Sequence, residues 1–217
     1  MARLDGLGDL PITSLELRWF AAADFTNITL PKTLKHLMVW HSSRLHSLDG
    51  IEQAPQLSHV ELRKNGELRD AHALAQLPAL RTLEIFGDLN GNQKITTFDF
   101  LVPLKLDQLT LVAIDGRNSD LTPLAQMQQP GKLELNCRAF PREEIAKVAA
   151  VNPTLYNEVM NPILLPKNEI HYTRCPGQIK HPQLKGTKMF YCESCDQAAI
   201  DKLLNNFKKL VDTAPAS

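Results

Sequence analysis

The chain is 217 residues long, carries 24 Lys and Arg against 24 Asp and Glu, and is 43% hydrophobic. A formal charge of zero excludes a global field that would draw it to nucleic acid or anionic lipid, and no apolar run reaches membrane-spanning length. The length and apolar content suit one elongated domain with a substantial core and a small appendage.

The opening stretch, MARLDGLGDLPITSLEL, has no basic-then-apolar secretory pattern and enters an alternating run almost at once, so a cytoplasmic protein is expected. That run, Ile12-x-x-Leu15-x-Leu17, returns as Leu34-x-x-Leu37-x-Val39, Leu57-x-x-Val60-x-Leu62, Leu80-x-x-Leu83-x-Ile85, Leu106-x-x-Leu109-x-Leu111 and Leu133-x-Leu135. Successive copies lie 22, 23, 23, 26 and 24 residues apart. A fixed period in the twenties with a short alternating segment in each copy predicts one strand and one return segment per unit. No unit can bury its own apolar face, so each must lean on its neighbours. The return segments supply the opposite wall of the core through Leu45/Leu48, Leu68/Leu74/Leu77, Phe98/Leu101/Leu104 and Leu121/Leu124, with prolines such as Pro55, Pro78 and Pro130 near their ends.

The wording of these segments, above all SDLTPLAQM and LRDAHALAQLPALRTLEI, resembles the short bacterial and internalin-type members of the leucine-rich repeat family over about residues 10–140. The resemblance implies an α/β fold, a leucine-rich repeat solenoid with a curved parallel sheet of six to seven strands. One departure stands out. The family's turn asparagine is present in register only at Asn65, while Phe20, Ser42, Asp88, Ile114 and Arg138 hold that place in the other copies. Irregular turns are therefore expected.

Strand alternation sends the residues between the aliphatic positions outward onto the concave sheet. Three columns result: Ser14, His36, His59, Thr82, Gln108 and Lys132; Glu16, Met38, Glu61, Glu84, Thr110 and Glu134; Arg18, Trp40, Arg63, Phe86, Val112 and Asn136. Trp, Arg and Phe dominate binding energy at interfaces. Arg18, His36, Met38, Trp40, His59, Glu61, Arg63, Glu84 and Phe86 are accordingly the candidate partner-binding residues. The competing reading is that the aromatics only cover cross-strand neighbours and the glutamates keep an open sheet soluble. His36 and His59 on adjacent strands near Glu61 also suggest metal or acid–base chemistry, but the sequence offers no further group at ligand spacing.

Leu4, Leu7 and Leu10 can cover the front of the repeats, and residues 141–151 read as a helix with an early proline and acidic first turn, stopped at Asn152-Pro153. Residues 154–159 are expected to add a last irregular strand, and Cys137 to point into the core in phase with Leu133 and Leu135. This assigns residues 1–159 to the repeats with their caps. Residues 160–217 form a Cys/His-containing hairpin followed by an amphipathic helix.

In that second part, Cys192-x-x-Cys195 with Cys175 and His171 gives His-x3-Cys followed by Cys-x2-Cys, which looks like a zinc ribbon; His181 competes with His171 for the fourth place. With all four positions filled by protein, the ion would be a structural zinc without a catalytic water. Unmetallated thiols in a reducing compartment are the alternative. Ile200, Leu203, Leu204, Phe207, Leu210 and Val211 then trace one apolar stripe along a helix over 196–212, with Ser194 and Gln197 as a capping box. The stripe packs on the rest of the chain, or else on a target groove or second copy.

No nucleophile elbow, phosphate loop, metalloprotease helix or paired-carboxylate setting occurs, so an enzyme is not expected. The expected function is a non-catalytic protein-binding module acting through its concave face, and by analogy of fold alone an immunity protein that neutralises a cognate toxin. The alternative is a nucleic-acid-binding or adaptor protein acting through the tail, where 8 Lys/Arg face 5 Asp/Glu over residues 160–217.

Overall fold

The computed structural model describes residues 6–88, 94–95, 97–114, 120–135, 140–155 and 195–214, together with the backbone of short strands at 163–164, 179–182 and 191–192. The chain divides into two compact units, Met1–Asn136 and Cys137–Ser217.

In the first unit the six alternating runs become β1 (Ser14–Arg18), β2 (His36–Trp40), β3 (His59–Arg63), β4 (Thr82–Phe86), β5 (Gln108–Val112) and β6 (Lys132–Leu135). They form one all-parallel sheet whose strand order is the chain order, an α/β arrangement in which every strand pairs with the next copy of itself. Register follows the repeat spacing: Leu15 pairs with Leu37, Leu37 with Val60, Val60 with Leu83 and Leu83 with Leu109. A one-residue slip would turn every aliphatic side chain to solvent, which is why the apolar pattern fixes the pairing.

Opposite the sheet, 3-10 turns at Ile51–Gln53, His72–Gln76 and Asp99–Leu101 and helix α1 (Thr122–Gln126) lie side by side. Between the two walls, Leu37, Val39, Val60, Leu62, Leu83, Ile85, Leu109 and Leu111 meet Leu45, Leu48, Leu68, Leu74, Phe98, Leu101, Leu121 and Leu124, all fully buried. Each such side chain contributes about 1.5–3 kcal/mol by leaving water. Leu7 is buried at the front of this core, but Leu10 is exposed, so the expected three-leucine cover is corrected to a smaller one; Leu4 lies outside the described residues. Leu10 precedes Pro11 and takes the extended backbone that a following proline favours, φ −80° and ψ 134°.

The turns that leave the strands are more regular than the sequence implied. Trp19, His41, Lys64 and Ala113, each the first residue after its strand, all have left-handed backbone with φ between 52° and 55°. The amide of the first three still reaches the neighbouring strand, from Trp19 to the Trp40 carbonyl, His41 to Arg63 and Lys64 to Phe86. The next residue is then turned inward. Asn65 is fully buried, accepts from the Ser42 amide at 3.0 Å and donates to the Val39 carbonyl at 2.9 Å. Ser42 repeats the first of these contacts one turn earlier, its hydroxyl accepting from the Phe20 amide at 3.0 Å. A serine hydroxyl thus does part of the asparagine's work, and the expectation of irregular turns is corrected over these copies. At the fourth turn the pattern changes: a Cβ on Gly87 would come within 1.8 Å of the Ala113 carbonyl oxygen, so only glycine fits.

The second unit holds α2 (Arg142–Val151), the short α3 (Pro153–Leu155), β7 (Ile163–Leu164), β8 (Ile179–Pro182), β9 (Tyr191–Cys192) and α4 (Gln197–Thr213). Helix α2 starts after Pro141 and ends at Asn152, where the following proline bars continuation. Its Ile145, Val148 and Ala149 are buried, as are Ile200, Leu203 and Phe207 of α4, and the two helices pack together. The α4 stripe is therefore covered by another helix of its own unit, although Leu204 stays exposed. Gln197 donates its side-chain amide to Asp201 at 2.7 Å, and Ser194, its expected capping partner, lies outside the described residues. Strands β7, β8 and β9 make a small antiparallel sheet, Ile179 pairing with Cys192 and Lys180 with Tyr191.

The compact units divide between Asn136 and Cys137, and α2 packs on α4 within the second. One further expectation changes. Thr154 and Leu155 are helical in α3, which removes the start of the expected seventh strand; residues 156–159 and Cys137 lie outside the described residues. No helix among the described residues is long and apolar enough to cross a membrane.

Candidate functional site on the polar face of the sheet

The register brings the three outward columns together as drawn from the sequence: Ser14, His36, His59, Thr82, Gln108 and Lys132 are successive partners, then Glu16, Met38, Glu61, Glu84, Thr110 and Glu134, then Arg18, Trp40, Arg63, Phe86 and Val112. Neighbouring strands stand about 4.8 Å apart, so side chains in a column touch.

The third column is stacked in pairs. The Arg18 guanidinium lies 4.7 Å from the centre of the Trp40 ring and that of Arg63 lies 4.4 Å from Phe86. Cation–π contact of this kind is worth about 0.5–1 kcal/mol at a partly exposed site. Each arginine is also held from behind by a glutamate two residues back on its own strand, Arg18 Nε by Glu16 and Arg63 Nε by Glu61. The period of two places both members on one face, which is why the sequence Glu-x-Arg closes this contact twice. The arginines are half exposed, whereas Glu61 is buried. Trp40 is half-buried, and its indole Nε1 is buried with no hydrogen-bond partner.

The first column carries a second cluster. The His36 and His59 rings are stacked, with centres 4.3 Å apart and planes 27° from parallel. Nδ1 of His36 lies 3.5 Å from the Ser14 hydroxyl, while its Nε2 is buried without a partner. Burial pushes the His36 imidazole below its ordinary pKa and the adjacent His59 adds to this, against the opposing pull of Glu61 and Glu84. Nε2 of His59 is 3.0 Å from Glu84 Oε2, and the other oxygen of Glu84 accepts from the Gln108 amide at 3.0 Å. One ligand atom each of His36, His59 and Glu61 falls within 4.8 Å of the others, so these three form a group that can hold a metal ion.

The sequence already grouped His36 and His59, on adjacent strands, with Glu61; what it did not give is how closely their donor atoms approach. Trp19 is an omission: it is the residue that follows β1, takes the left-handed turn conformation, and is 71% exposed. Nearby, at the ends of β2 to β4, His41, Lys64, Gly66 and Asp88 line a small depression of about 100 Å³, with Lys64 Nζ 3.7 Å from Asp88.

Of the residues expected to hold zinc, His171 and Cys175 lie outside the described residues. Cys192 is placed by its backbone in β9, and Cys195 is exposed two residues before α4. Comparison with protein families, with curated proteins and with solved structures finds no match to this chain.

Proposed function

We propose that the chain is a leucine-rich repeat protein whose concave sheet face binds a protein partner without catalysing a reaction. The single observation behind this reading is the stacked stripe Arg18, Trp40, Arg63 and Phe86, in which each guanidinium is held by a ring on one side and a glutamate on the other. Long side chains normally lose about 0.5–1.5 kcal/mol of freedom when an interface immobilises them. Here much of that ordering is done in the unbound protein, which is what a preformed binding surface requires. Covering the sheet for its own sake calls for neither an outward tryptophan nor two restrained arginines.

The test starts with affinity capture from the native cells and continues with the captured protein in purified form. Trp40→Ala and Arg63→Ala should each weaken binding at least tenfold, about 1.4 kcal/mol, with thermal melts confirming that both variants stay folded. Unchanged affinity in both would remove the assignment of this face.

A further inference from the structure

We infer that the same sheet face carries a metal site of its own: a divalent transition-metal ion held between β2 and β3 by His36, His59 and Glu61, with its fourth position left for a ligand from outside the chain. The inference does not depend on a protein partner.

Three observations converge. First, parallel register sets His36 directly beside His59, and the two-residue period brings Glu61 onto the same face, so the three donors already lie within 4.8 Å of one another. Metal–ligand bonds near 2.1 Å need donors roughly 3.4 Å apart, which side-chain rotation can reach from there. Second, His36 Nε2 is buried with no hydrogen-bond partner. An unmet polar atom of that kind costs about 1–3 kcal/mol, and few survive in a folded protein without a purpose. Coordination to an ion meets it.

Third, the donors are braced from behind. Glu84 holds Nε2 of His59, which leaves Nδ1 free to bind an ion, and Gln108 in turn holds Glu84. A carboxylate on the far nitrogen of a histidine is the usual device that fixes the tautomer and raises the basicity of a metal-binding imidazole. Arg63 engages one oxygen of Glu61 and so restrains a buried carboxylate, with the other oxygen left for the ion. A simple His59–Glu84 ion pair on the sheet surface would account for neither the orphaned His36 nitrogen nor the burial of Glu61.

Two imidazoles and one carboxylate suit Zn²⁺, Co²⁺ or Ni²⁺, whereas Mg²⁺ and Ca²⁺ prefer oxygen donors. Three protein ligands also differ in kind from a closed four-ligand structural site, because an incoming donor can bind the ion directly.

The 217-residue chain, stripped with a chelator, should be titrated with Zn²⁺ by calorimetry and with Co²⁺ by visible absorption. His36→Gln and His59→Gln should each lower affinity at least tenfold, and Glu84→Gln about tenfold, since it only positions a ligand. Absorption-edge spectroscopy of the zinc complex in a Cys192→Ser, Cys195→Ser background should still show nitrogen and oxygen scatterers and no sulfur. In the unsubstituted chain, Zn²⁺ should shift the ring resonances of His36 and His59, and Mg²⁺ should not. Binding unchanged in both histidine variants, loss of all binding with the cysteines, or ring resonances that do not move would each overturn the site. The resonance measurement decides the matter even where a variant fails to fold.

Discussion

On the inner face of the sheet Leu37, Val60, Leu83 and Leu109 are wholly buried, while one residue earlier along the same strands His36, His59, Thr82 and Gln108 are half-buried and polar. The inner side chains are held by apolar burial, which has no direction and scales with area. The outer ones are held by contacts that depend on angle and on which atom meets which: Gln108 to Glu84 to His59, Arg63 to Glu61. The difference teaches where each kind of information resides. Inner positions can be exchanged for any aliphatic of similar volume at small cost, but outer positions mean something only once the register of the neighbouring strand is known.

The comparison is broken most directly by truncating one residue from each face. Leu62→Ala should cost about 2–5 kcal/mol in urea unfolding, because it empties a fully buried site. Thr82→Ala on the outer face should cost less than about 1 kcal/mol. Equal losses would mean that the polar face supports the fold as much as the core does.

The turn that joins the faces comes next. Asn65→Ala strips partners from the Ser42 amide and the Val39 carbonyl, and should lower stability by about 2–4 kcal/mol, while Ser42→Ala, which deprives the Phe20 amide, should lower it by about 1–2 kcal/mol. Chemical denaturation of the pair ranks them; a serine loss larger than the asparagine loss would contradict the ladder. Gly87→Ala should then cost about 1–3 kcal/mol as the backbone shifts to relieve the contact with Ala113, and a neutral result would show that this turn yields freely.

The smallest effect concerns acid. The Asp70 carboxylate accepts from the His72 amide at 2.9 Å and from its ring at 2.8 Å, and the amide contact first, then the ring, hold its pKa below the ordinary value. Because the folded value is depressed, its contribution is present above the unfolded value of about 3.9 and is lost as pH falls through the folded one. Asp70→Asn should therefore flatten the loss of stability below about pH 4. Identical acid titrations for the two proteins would show that this contact does not couple to folding.

Much of the sheet was readable beforehand, since an aliphatic pattern repeated every 22 to 26 residues leaves one register in which all copies face inward. What escaped was directional. Ser42 does not look like a turn asparagine until its hydroxyl is seen 3.0 Å from the Phe20 amide. His36, His59 and Glu61 were grouped from the sequence, yet the ring stacking and the contact of Arg63 with Glu61 were not legible there. Leu10 failed for the opposite reason: apolar character alone predicted burial, and the residue leaves its 3-10 turn extended and exposed. In the tail, prolines, glycines and lysines carry no periodicity, and the pattern gave only α2 and α4 with useful bounds.

Because strand order equals chain order, no pairing in the six-stranded sheet spans more than one copy of the unit. Such a molecule can open like a frayed ribbon, losing β1 without disturbing β4, so that amide exchange would trace a gradient of protection rising from β1 toward the middle strands. Unfolding measured by one probe near Trp19 would then report a different event from one measured at β4.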